Sequence, residues 1–236
     1  MRPTKNVVAF SGGKDSTATA HVMAEAGEDF VLLFTPTGNE LPEVRTFIDA
    51  TATALGKELV LPPGPDLAGL IEGFGSLPNN RQRWCTRMIK IQPCIAYLKA
   101  HEGSTLCVGL RADEQNREGL YGPYATYRYP LRERGMGLPE VLAYLDARGV
   151  KVPARTDCAV CYDQRLVDWR NLLRRHPAEY AKGEAWEAKT GHTFRSPSRD
   201  TWPAKLSELR TEFESGRKVR GADDNTDAEA CRVCRL

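Results

Sequence analysis

The sequence predicts an α/β fold: a mostly parallel sheet with helices on both faces, followed by a helical C-terminal region clasped by a metal. Three observations carry this expectation. Short apolar runs alternate with helical patterns through the first half of the chain, as in βαβ units. The first run is broken by a two-glycine turn, FSGGKDST (10–17), before a helix begins. Two C-x-x-C pairs stand in the second half, where strand signals are few.

The elements follow in order. NVVAF (6–10) reads as a buried strand and STATAHVMAEAG (16–27) as an alanine-rich helix closed by Gly27. DFVLLFT (29–35) is a second strand. PEVRTFIDATATALG (42–56) is a helix with Pro42 in its first turn and Gly56 at its end. KELVLPP (57–63) and STLCVGL (104–110) are further strands, and IQPCIAYLKAHEG (91–103) is a helix between them. The Gly-, Tyr- and Arg-rich stretch 117–137 reads as an irregular connection. LPEVLAYLDARG (138–149) is a helix, and more helical pattern follows. The division expected is a nucleotide-binding domain over 1–130 and a helical, cysteine-containing region over 131–236 packed on it.

Bulk properties set limits. Hydrophobic residues make 41% of the 236 and charged residues 27%, enough for a buried core. A net charge of +2 does not support polyanion binding by the whole molecule, so local patches must carry any such argument. No apolar run approaches the ~18 residues of a membrane span, and MRPTKN lacks the apolar core of a leader. The expected location is the cytoplasm, without membrane attachment, and the seven cysteines then read as thiols or metal ligands.

The turn at 10–17 does not fit the G-x-x-x-x-G-K-[ST] phosphate loop. It resembles the PP-loop, S-G-G-x-D-S, of the ATP pyrophosphatases, in which Ser11, Gly12, Gly13, Asp15 and Ser16 match after a first strand and before a first helix. The resemblance implies a loop that grips the pyrophosphate of ATP while the α-phosphate is attacked. Glycines let the backbone approach phosphate, and Lys14 and the helix N-terminus offset charge developing on the leaving pyrophosphate. The Ser11 and Ser16 hydroxyls can donate to phosphate oxygens, and Asp15 is placed to hold Mg²⁺.

Three further stretches resemble the branch containing phosphoadenylyl-sulfate reductases. In TPTGNELPEV (35–44), Thr37, Gly38, Glu40, Pro42 and Glu43 match D-T-G-x-E-x-P-E, with Pro36 in place of Asp. In RQRWCTRMIKIQP (81–93), Cys85, Lys90 and Pro93 match C-C-x-x-R-K-x-x-P. Thr86 and Ile89 depart from that pattern, and the variant is closer to the sulfurtransferase of DNA phosphorothioation systems. Arg81, Arg83, Arg87 and Lys90 form a cationic cluster suited to phosphate or sulfate. In VGLRADEQNREG (108–119), Gly109, Arg111, Glu114 and Arg117 match G-x-R-x-x-E-S-x-x-R, with Gln115 for Ser. The resemblance implies that Arg111 and Arg117 hold phosphate or sulfate oxygens, and that Glu114 orients an arginine.

Cys158, Cys161, Cys231 and Cys234 form two C-x-x-C pairs, and four thiolates suit Zn²⁺ or a [4Fe–4S] cluster. A competing set implied by the resemblance is Cys85 with Cys158 and Cys161, and a chain without metal is the third alternative. Cys94 and Cys107 read as core residues. His21, on the first helix, is expected to pack near the loop. The other histidines are scattered and make no set. Arg170, Arg174, Arg175, Arg195 and Arg199 beside Trp169 and Trp202 could meet a nucleic acid, or form a solvated helix face.

The function implied is an ATP pyrophosphatase that adenylates an acceptor and releases pyrophosphate, in sulfur transfer or nucleic-acid modification. A phosphoadenylyl- or adenylyl-sulfate reductase is the alternative, although the chain ends in CRVCRL rather than E-C-G-x-H. A non-catalytic nucleotide-binding subunit of a modification or defence assembly is the third reading. The partners expected are a nucleotide substrate and either a nucleic acid or a sulfur carrier, with a homodimer open.

Overall fold

The computed structural model describes residues 6–117, 122–124 and 126–219. Its centre is a five-stranded parallel sheet in the order β3-β2-β1-β4-β5. The strands are β1 (Asn6–Ala9), β2 (Phe30–Leu33), β3 (Leu59–Val60), β4 (Thr105–Cys107) and β5 (Thr126–Arg128). β1 lies at the middle, with Val7 opposite Val31 of β2 and Leu106 of β4. Because side chains alternate along a strand, the sheet has two apolar faces. Val7, Val31, Leu33 and Leu106 pack with Cys94 and Leu98 of α4 (Gln92–Ala100). Val8, Phe30, Leu32 and Cys107 face Ala20 and Met23 of α1 (Lys14–Glu25) and Val44 and Ile48 of α2 (Pro42–Leu55). Burial of Cys94 and Cys107 agrees with their reading as core residues.

Two elements were not legible in the sequence. β5 pairs with β4 inside the stretch expected to be irregular, and α3 (Leu67–Phe74) follows the third strand, capped by the Asp66 carboxylate on the Gly69 N–H at 2.7 Å. The helix expected from 91 is preceded by a π-helical turn over Thr86–Ile91. α5 (Pro130–Glu133) and α6 (Leu138–Asp146) return to α1, where Leu131, Val141 and Leu145 bury Ala18 and Val22. Thus the first segments after residue 130 help build the layer over the sheet.

α7 (Leu166–Arg175), α8 (Pro177–Thr190) and α9 (Leu206–Glu214) pack around Trp169, Tyr180, Phe194 and Leu206, all buried in one core with the sheet. Glu187 ties the segment between α8 and α9 to α8, accepting from the N–H groups of Phe194 at 2.9 Å and Leu206 at 2.6 Å. Burial pushes its carboxyl up to about 7, against the pull of those two donors. A folded pKa above the unfolded one means that the native state holds its proton longer. Stability is therefore expected to fall as pH rises from about 5 to 7, at up to ~1.4 kcal/mol per pH unit. Glu187→Gln should flatten that part of a stability–pH curve measured by urea unfolding, and an unchanged slope would refute the assignment. Among the described residues, no helix is long and apolar enough to cross a membrane.

Candidate functional site

The turn after β1 delivers its backbone to the carboxyl end of the sheet. Gly12 has φ +72°, and a Cβ there would sit 2.9 Å from Ile48 Cγ1. Gly13 is the extended N-cap of α1, and no side chain caps the helix, so its first N–H groups face the loop. The loop braces itself. Ser16 Oγ donates to the Gly13 carbonyl at 3.0 Å and accepts from the Ser11 N–H at 3.2 Å, with Ser11 Oγ also 3.2 Å away. Ser11 is exposed, whereas Gly12, Lys14, Asp15 and Ser16 are buried.

The chain reverses its winding beside this loop, since β1 runs out to β2 on one side and is joined by β4 on the other. The carboxyl ends of strands at such a point form a crevice. From β4 comes Val108-Gly109-Leu110-Arg111. Gly109 lies against the first turn of α1, where a Cβ would come within 2.9–3.0 Å of backbone atoms of Asp15 and Ser16. Asp15 Oδ2 accepts from Lys14 Nζ at 3.3 Å and from Arg111 Nη1 at 3.0 Å. Asp15 Oδ1 is buried and has no hydrogen-bond partner among the described residues. Burial opposes the Arg111 charge, but Asp113 at 2.9 Å, Asp15 and Glu114 outweigh it and raise its pKa. Glu114 pairs with Arg117. Arg132 of α5, which sequence reasoning missed, donates to the carbonyls of Arg111 at 3.3 Å and Arg117 at 2.7 Å and so clamps this loop.

The loop after β2 forms another wall. The Glu40 carboxylate accepts from the Thr37 N–H at 2.6 Å and hydroxyl at 2.5 Å, closing a turn in which Gly38 has φ +69°. This turn is stitched to the first C-x-x-C loop. Ala159 N–H donates to the Asn39 carbonyl at 2.6 Å, Asn39 Nδ2 donates to the Val160 carbonyl at 2.9 Å, and Glu40 bridges Cys158. The buried Asn39 was another residue that the sequence did not single out. Thr156, just before Cys158, lies beside Gly13, with Oγ1 3.2 Å from where a Cβ would stand. The C-x-x-C loop thus borders both the glycine turn after β1 and the loop after β2. Gln164 shapes it by accepting from the Cys161 N–H at 2.9 Å and donating to the Ala159 carbonyl at 3.0 Å.

Cys85, Cys158 and Cys161 line one small cavity of about 30 Å³ with Thr37, Lys90 and Tyr162. Burial, then the neighbouring Cys158, push the Cys161 thiol well up. Cys158 Sγ donates to Thr37 Oγ1 at 3.6 Å. Among the described residues, no three His, Cys, Asp or Glu side chains come close enough together to hold a metal ion. Cys231 and Cys234 lie outside the described residues. The arginines of RQRWCTR do not act as one cluster: Lys90 lines the thiol cavity, Arg81 lines a separate cleft, Arg83 reaches Tyr162 and Arg87 is exposed.

Two expectations are corrected. His21 lies two turns into α1, and burial lowers its pKa in the company of Glu25 and Arg148, away from the loop. Trp169 is 0% exposed and packs edge-on to Tyr180, so it offers no face to a base; Arg195 is 1% exposed and bound to Asp200.

Comparison with known proteins follows the same outline. The phosphoadenosine phosphosulfate reductase domain family matches residues 5–124, about half of the chain. An uncharacterized protein of Methanocaldococcus jannaschii is 30% identical over 148 residues, 61% of this chain, and the chain spans only 33% of that relative's length. A phosphoadenylyl-sulfate reductase from Candida auris, solved with phosphate, superposes with a TM-score of 0.53 at 15% identity, covering 64% of this chain and 76% of that one. At that identity the likeness is one of fold.

Proposed function

This chain belongs to the phosphoadenosine phosphosulfate reductase domain family, and on that premise we propose that it is a nucleotide-using enzyme that cleaves ATP between the α- and β-phosphates. An acceptor oxygen attacks the α-phosphate, the acceptor–O–AMP bond forms, and pyrophosphate leaves while the acceptor proton passes to solvent. One observation carries the reading: the intact SGGKDS loop after β1 meets Arg111, from the segment after β4, at the carboxyl end of the sheet.

In this reading the free N–H groups of α1 and Lys14 receive the pyrophosphate, which gains charge as it leaves. Arg111 and Arg117 hold phosphate oxygens from the opposite side, with Glu114 and Arg132 keeping their loop in place. Thr37 and Gly38 border the nucleotide, and Arg83, Arg87, Lys90 and Cys85 serve the acceptor side. The unpartnered Asp15 Oδ1 suits a divalent cation that keeps several waters and uses one carboxylate. Bound there, Mg²⁺ would shield the charge of the phosphates.

The thiols suit a soft metal by chemistry. The cavity among Cys85, Cys158 and Cys161 has room for only one or two water-sized bodies, which does not fit a cluster as the side chains stand. The set we favour is therefore Cys158, Cys161, Cys231 and Cys234, holding Zn²⁺ or a [4Fe–4S] cluster. Cys158→Ser should then cost the protein its bound metal and several degrees of melting temperature. Elemental analysis beside a thermal melt checks this, and a metal-replete, equally stable variant would remove Cys158 from the set.

The activity test is product analysis. With ATP, Mg²⁺ and candidate acceptors, pyrophosphate and the adenylated acceptor are expected in equal amounts. The family also supports a second reading, reduction of phosphoadenylyl sulfate with Cys231 or Cys234 as the redox thiol. Sulfite released from that substrate by a dithiol, with no pyrophosphate formed from ATP, would replace the first reading by the second.

A further inference from the structure

The segment 76–82, after α3, and the segment 192–199, after α8, contribute to the lining of an open cleft of about 790 Å³. Arg81, Arg195, Arg199 and His192 line it, against one carboxylate, Asp163. The first wall is built by an Asn79 turn, whose Oδ1 accepts from the N–H groups of Arg81 and Gln82 at 2.9 Å each. It presents Arg81, exposed and without an ion pair to any described residue.

The second wall is built around Arg195. Its guanidinium is held by Asp200 at 2.8 Å and by the Pro203 carbonyl at 3.2 Å, yet Nη1 has no hydrogen-bond partner among the described residues. Arg199, exposed, reaches the Tyr162 carbonyl at 3.4 Å. Tyr162 lines both this cleft and the thiol cavity, so the cleft adjoins the candidate site. Residues 192–199 lie beyond the 5–124 that match the family.

We propose that this cleft binds a phosphoester group of the acceptor, carried by a mononucleotide or by a single-stranded oligonucleotide. Guanidinium forks match phosphate oxygens, and the volume suits a body of nucleotide size. Phe194 is buried, and the polar groups lining the cleft are cations, amides and hydroxyls beside Asp163. The term acceptor rests on the adenylation reading, whereas the binding does not.

The test uses fluorescence anisotropy of a short labelled oligothymidylate on the full chain, with unlabelled thymidine monophosphate as competitor. ATP binding is measured in parallel by calorimetry. Arg81→Ala/Arg199→Ala should weaken both probes roughly tenfold or more and leave ATP affinity and melting temperature unchanged, because both side chains are exposed. Competition by the monophosphate at comparable affinity assigns the phosphoester to a small molecule; oligonucleotide binding that the monophosphate does not displace assigns it to a strand. Binding of neither probe, or undiminished binding by the double variant, overturns the proposal. A wild-type protein that ignores ATP but binds the probes would sink the adenylation reading and leave the cleft standing.

Discussion

Lys14→Ala is expected to cut ATP turnover by roughly two to three orders of magnitude while leaving the fold intact. Lys14 is 8% exposed and its ammonium lies 3.3 Å from the Asp15 carboxylate, at the start of α1, the helix that would face the leaving pyrophosphate in the proposed reaction. In such a dry position a fixed cation acts on developing charge with little solvent screening. The structural cost should be small, about 1 kcal/mol, because Asp15 keeps Arg111 at 3.0 Å and its buried charge stays compensated. Rates of pyrophosphate release beside a thermal melt check both halves. Asp15→Ala should also stop turnover. If both variants kept wild-type rates, the loop would have no part in the chemistry.

Gly109→Ala should damage stability and nucleotide affinity together. The added methyl would stand 2.9 Å from the Asp15 carbonyl carbon and 3.0 Å from the Ser16 nitrogen, and backbone cannot swing aside as a side chain can. The end of β4 must then part from the first turn of α1, at a cost of ~1–3 kcal/mol. The same shift separates Arg111 from Lys14 and Asp15, so ATP affinity should fall at least about tenfold. Gly73→Ala is the matched control. Its Cβ would meet nothing within 4 Å, and it lies inside α3, where alanine favours helix by ~1 kcal/mol. Urea unfolding and calorimetric titration of the two variants decide the matter; a Gly109→Ala protein as stable and as tightly binding as wild type would refute the close-packing account.

Legibility differed by element for physical reasons. β1, β2 and β4 are buried on both faces and announce themselves as apolar runs. β5 is a three-residue edge strand, Thr-Tyr-Arg, with its first residue exposed and no apolar run to betray it. α3 is hidden by four glycines between 64 and 75, two of them inside the helix. The loops after β1, β2 and β4 were readable because each has a motif of its own. Asn39 and Arg132 were not, because an asparagine or an arginine becomes informative only when its partner is known, here the carbonyls of Val160 and Arg117. Periodicity placed Trp169 near arginines but could not say which side of α7 faces inward.

The stitching of the loop after β2 to the C-x-x-C loop has a consequence for biosynthesis. Asn39 and Val160 are 121 residues apart. At ~5–20 residues per second, a ribosome adds that span in roughly 6–24 s. The glycine turn and the first two strands emerge early, yet Thr37 and Asn39 must wait for their partners through the synthesis of half the protein. Throughout that interval the growing polypeptide holds one wall of the crevice without its brace. Ligand capture is therefore expected to lag behind sheet assembly on the ribosome, and arrest of translation before Cys158 should yield nascent chains that pair β1 with β2 but do not retain nucleotide.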